Sequence, residues 1–406
     1  MTTPGDAARR DFEALDRQVH GRDLVYLDTA ATAHKPRVVI DRLDRFYRSE
    51  YATVRRGVYL TCQEATRMYE GVRERVRRFL GAATASEVVF VRGTTEALNL
   101  LASSLGAWRL GPGDEVLVTE MEHHANIVPW HMACGRAGAT LRAAPVDDLG
   151  RLDLDAMAAM ITPRTRIVAV THVSNVLGTE NPIAEISRLA HEVGALVVVD
   201  GAQSAPHLDL DMPSLGCDFF VCSGHKLYGP SGVGVLWGRY GLLAEMPPWQ
   251  GGGEMIEYVG FDQVTFTEPP WRFEAGTPPI ASVIGLEPAL DYLDAIGKPA
   301  IRAWEHHLLE RAESRLLELG GVTILGRAPG KASLTSFVLD GLAPIDVGMI
   351  LDREGIAVRV GQHCAQPLLR RFGVQTTLRA SFGLYSTESD VDRLIDGLIE
   401  ARELLR

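Results

Sequence analysis

With 406 residues, 46% of them apolar and 23% charged, the chain carries material for a large core and for two or three domains. Its formal net charge of −11 argues against a general affinity for nucleic acid, which needs clustered Lys and Arg. No run approaches the ~18 uninterrupted apolar residues of a membrane helix, and the charged N-terminus (Asp6, Arg9, Arg10, Asp11, Glu13) lacks the apolar core of a signal peptide, so a cytoplasmic protein is expected.

The stretch to about residue 20 predicts a polar amphipathic helix, and 24–27 a short strand. The densest basic cluster, Arg73 to Arg78, predicts a solvated helix face. From about residue 65, strand-like runs at 87–91, 115–119, 140–144, 167–172, 196–200, 219–223 and 234–237 alternate with helical stretches or Gly/Pro/Asp turns. That alternation implies βαβ units and an α/β fold with a mostly parallel sheet covered on both faces. Past Gly276-Thr277-Pro278-Pro279 the pattern changes. A long helical stretch over 280–319 breaks near Gly297-Lys298-Pro299, then come strands near 322–325 and 334–339, a helix at 346–354, a strand at 357–360 and a terminal helix. The expected division is a large domain over 22–275 and a smaller α+β domain over 276–406, joined by residues 1–21.

In open α/β sheets, ligands sit at the carboxyl ends of the strands. The first such end leads into Gly93-Thr94-Thr95-Glu96, free N–H groups and hydroxyls that suit a phosphate, or that simply cap a helix. The next leads into Glu122-His123-His124-Ala125-Asn126; adjacent side chains diverge and no third ligand is evident, so a stacking or structural histidine is expected and no metal. His172-Val173-Ser174-Asn175 ends another strand. Asp200 ends the apolar run 196–199, where it serves as a helix cap or as partner to a cationic ligand atom. Ser223-Gly224-His225-Lys226 sets one lysine among small residues, where burial would free a nucleophilic amine; a surface lysine is an equal alternative for this segment alone. Taken together these segments supply what pyridoxal 5′-phosphate (PLP) needs: a Schiff-base lysine, an acid for the ring nitrogen, a phosphate cup and a ring to stack on. The five cysteines lack C-x-x-C spacing, so reduced thiols are expected. Cys364 has polar flanks, with His363 and Arg359 near in sequence, a setting that favours thiolate. Arg379, in a small or apolar stretch, is a candidate to grip a substrate carboxylate.

The set Gly93-Thr94-Thr95-Glu96, Glu122-His123-His124-Ala125-Asn126, Asp200-Gly201-Ala202-Gln203, Ser223-Gly224-His225-Lys226, Phe273-Glu274-Ala275-Gly276-Thr277-Pro278 and Arg379-Ala380-Ser381-Phe382 resembles the class V aminotransferase-like cysteine desulfurases. Gly361-Gln362-His363-Cys364-Ala365 resembles their SufS branch, which includes selenocysteine-lyase-type enzymes. The resemblance implies a PLP-dependent transferase fold of type I, a homodimer, and sulfur transfer for iron–sulfur cluster assembly or another acceptor. By motif it assigns Lys226 to the cofactor Schiff base, His123 to ring stacking, Asp200 to the pyridinium nitrogen and Gln203 to the phenolic oxygen. Thr94, Thr95, Ser223 and His225 would hold the phosphate, with Thr277 supplied across the dimer. Asn175, Arg379 and Arg359 would orient the substrate, and Cys364 would take its sulfur. The chain departs from the family pattern at Arg55-Arg56-Gly57, where His-Arg-Gly is usual, and at Gln362-His363-Cys364, where His-His-Cys is usual. Members that serve a zinc-containing SufU carrier have His where Ile345 stands, which favours a SufE-like acceptor. The expected reaction converts L-cysteine to L-alanine with a persulfide on Cys364. L-Selenocysteine is the alternative substrate for the same residues, and another PLP-dependent C–S lyase a more distant alternative.

Overall fold

The computed structural model describes residues 3–405. Its centre is a seven-stranded sheet: β1 Val88–Val91, β2 Glu115–Thr119, β3 Thr140–Ala144, β4 Thr165–Thr171, β5 Leu196–Asp200, β6 Phe219–Ser223 and β7 Gly234–Gly238. The strands lie in the order β1-β7-β6-β5-β4-β2-β3, and β7 is the single antiparallel member, pairing with β1 on one side and β6 on the other. The alternation along each strand explains the layering. Val89, Val116, Ile167, Val198, Phe219 and Leu236 point to one core, with Leu98, Leu101 and Trp130. Val88, Leu117, Val168, Val197, Phe220 and Val235 point to the other, with Val72, Val76 and Ile186. The central strands are dry on both faces, so they read as apolar runs, and the carboxyl ends of the six parallel strands share one edge.

A second sheet of four antiparallel strands, β8 Val322–Leu325, β9 Leu334–Leu339, β10 Arg359–Gly361 and β11 Thr377–Ser381, runs in the order β8-β9-β11-β10. The helices Lys298–Leu319, Pro344–Arg353 and Glu388–Leu405 cover it through Leu308, Leu351, Leu394 and Leu398. The helical stretch from 280 breaks at Gly297 as expected, and again at Gly285.

Four features differ from expectation. The N-terminal stretch is a helix only over Pro4–Arg9, followed by a 3₁₀ turn over Glu13–Asp16, because Phe12 leaves the surface to pack edge-on to Tyr228, Tyr292 and Tyr385. Hydrogen bonding crosses the expected domain division: Val25–Tyr26 pairs in parallel with Ile356–Ala357. The strand expected at 357–360 is two short strands, Ile356–Ala357 and Arg359–Gly361. Finally, Arg73 and Arg75 are buried, not solvated. Helical spacing places Arg73 beside Val72 and Val76 on the inward face of Leu60–Phe79. There it meets Glu274 at 2.6 Å, Glu70 at 2.8 Å and the Val88 carbonyl at 2.7 Å. Arg75 reaches Asp291 and Asp294, each at 2.6 Å. The sequence window showed the cations without these distant carboxylates.

Candidate active site

The strand ends converge on a cavity of about 220 Å³ lined by Thr94, Thr95, His123, Asn175, Asp200, Gln203, Ser223, His225, Lys226, Arg359, Cys364 and Arg379. Twelve of the thirteen expected site residues therefore face one space. Thr277 is the exception: it lies in a separate depression with Arg92, Glu96, Trp249 and Gln250.

β5 delivers Asp200 fully out of solvent, and the fit behind it is tight: a Cβ on Gly201 would sit 1.9 Å from the Phe220 ring. The Asp200 carboxylate accepts the Ala202 amide at 3.0 Å and meets no cation at salt-bridge distance among the described residues. Burial raises its pKa. On the neighbouring strand, β6 runs into a 3₁₀ turn, Gly224–Lys226, that aims Lys226 into the same cavity. Burial pushes the ammonium pKa down to about 8, against the opposing pull of Asp200. A buried carboxylate without a paired cation and a buried amine near neutrality call for a ligand between them.

The expected phosphate-holding residues gather at the start of the helix Thr94–Arg109. Ser223 Oγ accepts the Thr94 amide at 2.8 Å and meets Thr94 Oγ1 at 2.8 Å, so strand and helix start are fixed together. His225 Nδ1 lies 3.1 Å from Thr32 Oγ1, and burial lowers its pKa to about 4. His123 closes the cavity after β2. Its Nδ1 accepts the Ala125 amide at 3.0 Å, which leaves the neutral ring's proton on Nε2, and burial holds its pKa near 4. Behind it, Glu122 is fully buried between Thr119 Oγ1 at 2.7 Å, Asn126 Nδ2 at 2.6 Å and the Thr171 amide at 2.9 Å; burial raises its pKa to about 8. These residues fit PLP: hydroxyls and helix N–H groups for the phosphate, a neutral ring for the face, an acid for the ring nitrogen and an amine for the aldehyde. Gln203 donates Nε2 to the Ala30 carbonyl at 2.7 Å.

The opposite wall comes from the second sheet. β11 carries Arg379, whose Nη1 donates to the Asn175 carbonyl at 2.8 Å and Nη2 to Asp28 at 3.1 Å, leaving Nε without a partner. Arg359 is half exposed and 3.5 Å from the other oxygen of Asp28. Cys364 is the one exposed cysteine; Cys62, Cys134, Cys217 and Cys222 are buried, and burial pushes the Cys217 and Cys222 thiols up to about 12. Cys364 sits in a tight turn closed by Ala365 N–H to the Gln362 carbonyl at 2.9 Å, with φ of +50° at His363 and +56° at Cys364. Left-handed backbone at non-glycine residues costs about 1–2 kcal/mol each, so the turn must be held. Asn175 Nδ2 donates to the His363 carbonyl at 2.7 Å, and His363 Nε2 meets Thr377 Oγ1 at 2.7 Å.

One residue of the site went unrecognised in the sequence. Asp28 ends the run 24–27 in a carboxylate, the same signal that marked Asp200, and it anchors both arginines. Arg55, the departure from the family pattern, lies away from the cavity, bonded to Glu274 at 2.7 Å beside Arg73.

Residues 25–394 match the model of the family described as aminotransferase class-V. The chain is 50% identical over 403 residues to a cysteine desulfurase of Dickeya dadantii, covering 99% of this chain and 98% of that one. It is 50% identical over 386 residues to a cysteine desulfurase of Synechococcus elongatus, covering 95% of this chain but spanning only 62% of that protein. Among solved structures it is similar to the cysteine desulfurase CsdA (S-sulfonic acid) of Escherichia coli, with a TM-score of 0.92, 42% identity, and coverage of 100% and 99% of the two chains. No helix among the described residues is long and apolar enough to cross a membrane.

Proposed function

The chain belongs to the aminotransferase class-V family and to its PLP-dependent cysteine desulfurases, and from that premise we propose that Lys226 and Cys364 divide the removal of sulfur from L-cysteine between them. The observation that carries the proposal is a single cavity walled on one side by the buried Lys226 and on the other by the exposed Cys364.

Lys226 would hold PLP until the substrate amine takes its place, and the cofactor would supply an electron sink for the α-carbon. Arg379 and Asn175 orient the substrate carboxylate, with Arg379 Nε the free donor. Lys226, with its pKa lowered to about 8, carries the α-proton as a base near neutral pH. Asp200 supplies the fixed negative charge at the ring nitrogen, and His123 offers a neutral donor through Nε2. The Cys364 thiolate then forms a bond to the substrate sulfur. The carbon–sulfur bond breaks, the carbon keeps the electron pair and takes up a proton, and L-alanine leaves a persulfide on Cys364.

The finer reading is a SufS-type enzyme of the cytoplasm that serves iron–sulfur cluster assembly through a SufE-like acceptor, favoured by Ile345 in place of His. A homodimer is supported by the separate position of Thr277 and by the apolar hairpin Ile256–Val259/Val264–Phe266, where Tyr258, Val259 and Phe261 are exposed. The test is Cys364→Ala. It should keep the yellow cofactor and lose persulfide and sulfide production from L-cysteine; undiminished turnover would overturn the role of Cys364.

A further inference from the structure

We propose that His124 is a positioning residue that straps the Cys364 turn to the strand end carrying His123. The proposal rests on Cys364 being the sulfur acceptor.

Adjacent residues after β2 point apart, and here each has a separate task. His123 faces the cavity, whereas His124 faces the chain that follows the thiol. The His124 amide donates to the Cys364 carbonyl at 2.7 Å. Its Nε2 accepts the amide of Gln366 at 3.3 Å, the first residue of the helix Gln366–Arg371. One residue thus grips the turn on both sides of Ala365. Both contacts join the large sheet to a segment 240 positions further along the chain, so no local propensity supplies them.

The grip has a reason. His363 and Cys364 hold left-handed backbone without being glycine, a state that persists only when surrounding contacts over-determine it. Asn175 and Thr377 hold the His363 side of the turn; among the described residues, the main chain of His124 holds the Cys364 carbonyl and its side chain holds the amide two residues further on. Burial lowers the pKa of His124, which keeps its Nε2 lone pair free to accept. The Gln366 side chain is engaged elsewhere, donating to Gln362 Oε1 at 2.6 Å.

The consequence is geometric. Sulfur transfer needs the thiol placed against a substrate held by the other wall of the cavity, and a misplacement of about 1 Å can cost about 10²-fold. His124→Ala keeps the main-chain bond to the Cys364 carbonyl and removes the side-chain bond to the Gln366 amide; it should slow persulfide formation on Cys364 by about tenfold, while the cofactor absorbance and its response to L-alanine stay as in the wild type. His124→Gln, which returns an acceptor oxygen at similar reach, should recover most of that loss. Alkylation of Cys364 by iodoacetamide, followed by mass spectrometry, should change in His124→Ala and return in His124→Gln.

The experiment runs wild type, Cys364→Ala, His124→Ala and His124→Gln side by side. Persulfide formation in His124→Ala within twofold of wild type, or a Gln variant as slow as the Ala variant, would overturn the strap. Should His124→Ala fail to fold, hydrogen exchange of the wild-type segment 362–371 decides. A protected Gln366 amide supports the strap, and exchange at the rate of an open peptide overturns it. Persulfide production surviving in Cys364→Ala would instead defeat the assignment of Cys364, and the alkylation and exchange results would still decide whether His124 holds the turn.

Discussion

The two walls of the cavity are built by opposite means. On the cofactor side, Asp200, Ser223 and Lys226 stand at the ends of adjacent parallel strands, with burial on both sheet faces fixing them. On the thiol side, Cys364 stands in a turn of left-handed backbone, exposed and held by contacts from residues far away in sequence. The difference suits the proposed chemistry. A group that must keep an unusual protonation state needs a dry and rigid place, whereas a thiol that must hand its sulfur to another molecule needs to be reached.

Substitutions can test that contrast, starting with the largest effect. Lys226→Ala should lower L-cysteine turnover by about 10³-fold or more, since no other amine among the described residues lines the cavity to act as base; steady-state alanine release measures it, and retention of a tenth of the activity would move the base elsewhere. Asp200→Asn should lower turnover by about 10²–10³-fold and shift the cofactor absorbance, because the fixed charge at the ring nitrogen is lost. Arg379→Lys should raise KM for L-cysteine about tenfold while leaving cofactor binding intact, as a lysine cannot make the same forked contacts to Asp28, Asn175 and a carboxylate. Glu274→Ala, outside the cavity, would leave the buried Arg73 and Arg55 to share Glu70 and should destabilise the fold by about 1.5–3 kcal/mol in denaturant titration. The smallest effect is in pH. In the cofactor-free protein the pKa of Lys226 lies near 8 when folded and higher when unfolded, so the unfolded chain binds more protons above pH 8. Stability should rise there with pH, and Lys226→Met should lessen the rise, to which Lys35 and Lys298 also contribute.

The contrast also explains what the sequence disclosed. The cofactor wall was legible because each residue follows an apolar run whose strand character is local, as with 196–199 before Asp200 and 219–222 before Ser223. The thiol wall was only half legible. The polar flanks of Cys364 singled it out, but the left-handed turn and its bonds to Asn175, Thr377 and His124 depend on tertiary approach that no window of sequence contains. The same limit hid the burial of Arg73, since its partner Glu274 lies 201 residues away. Asp28 was overlooked although its strand-end position carried the same mark as Asp200.

The most direct test of the two-wall account is peptide mass spectrometry of the wild-type holoenzyme after a single turnover of L-cysteine. One sulfur atom should be added on the peptide bearing Cys364, in step with the alanine released. Alanine formed without added sulfur on that peptide, or sulfur found on Cys62, Cys134, Cys217 or Cys222, would contradict it.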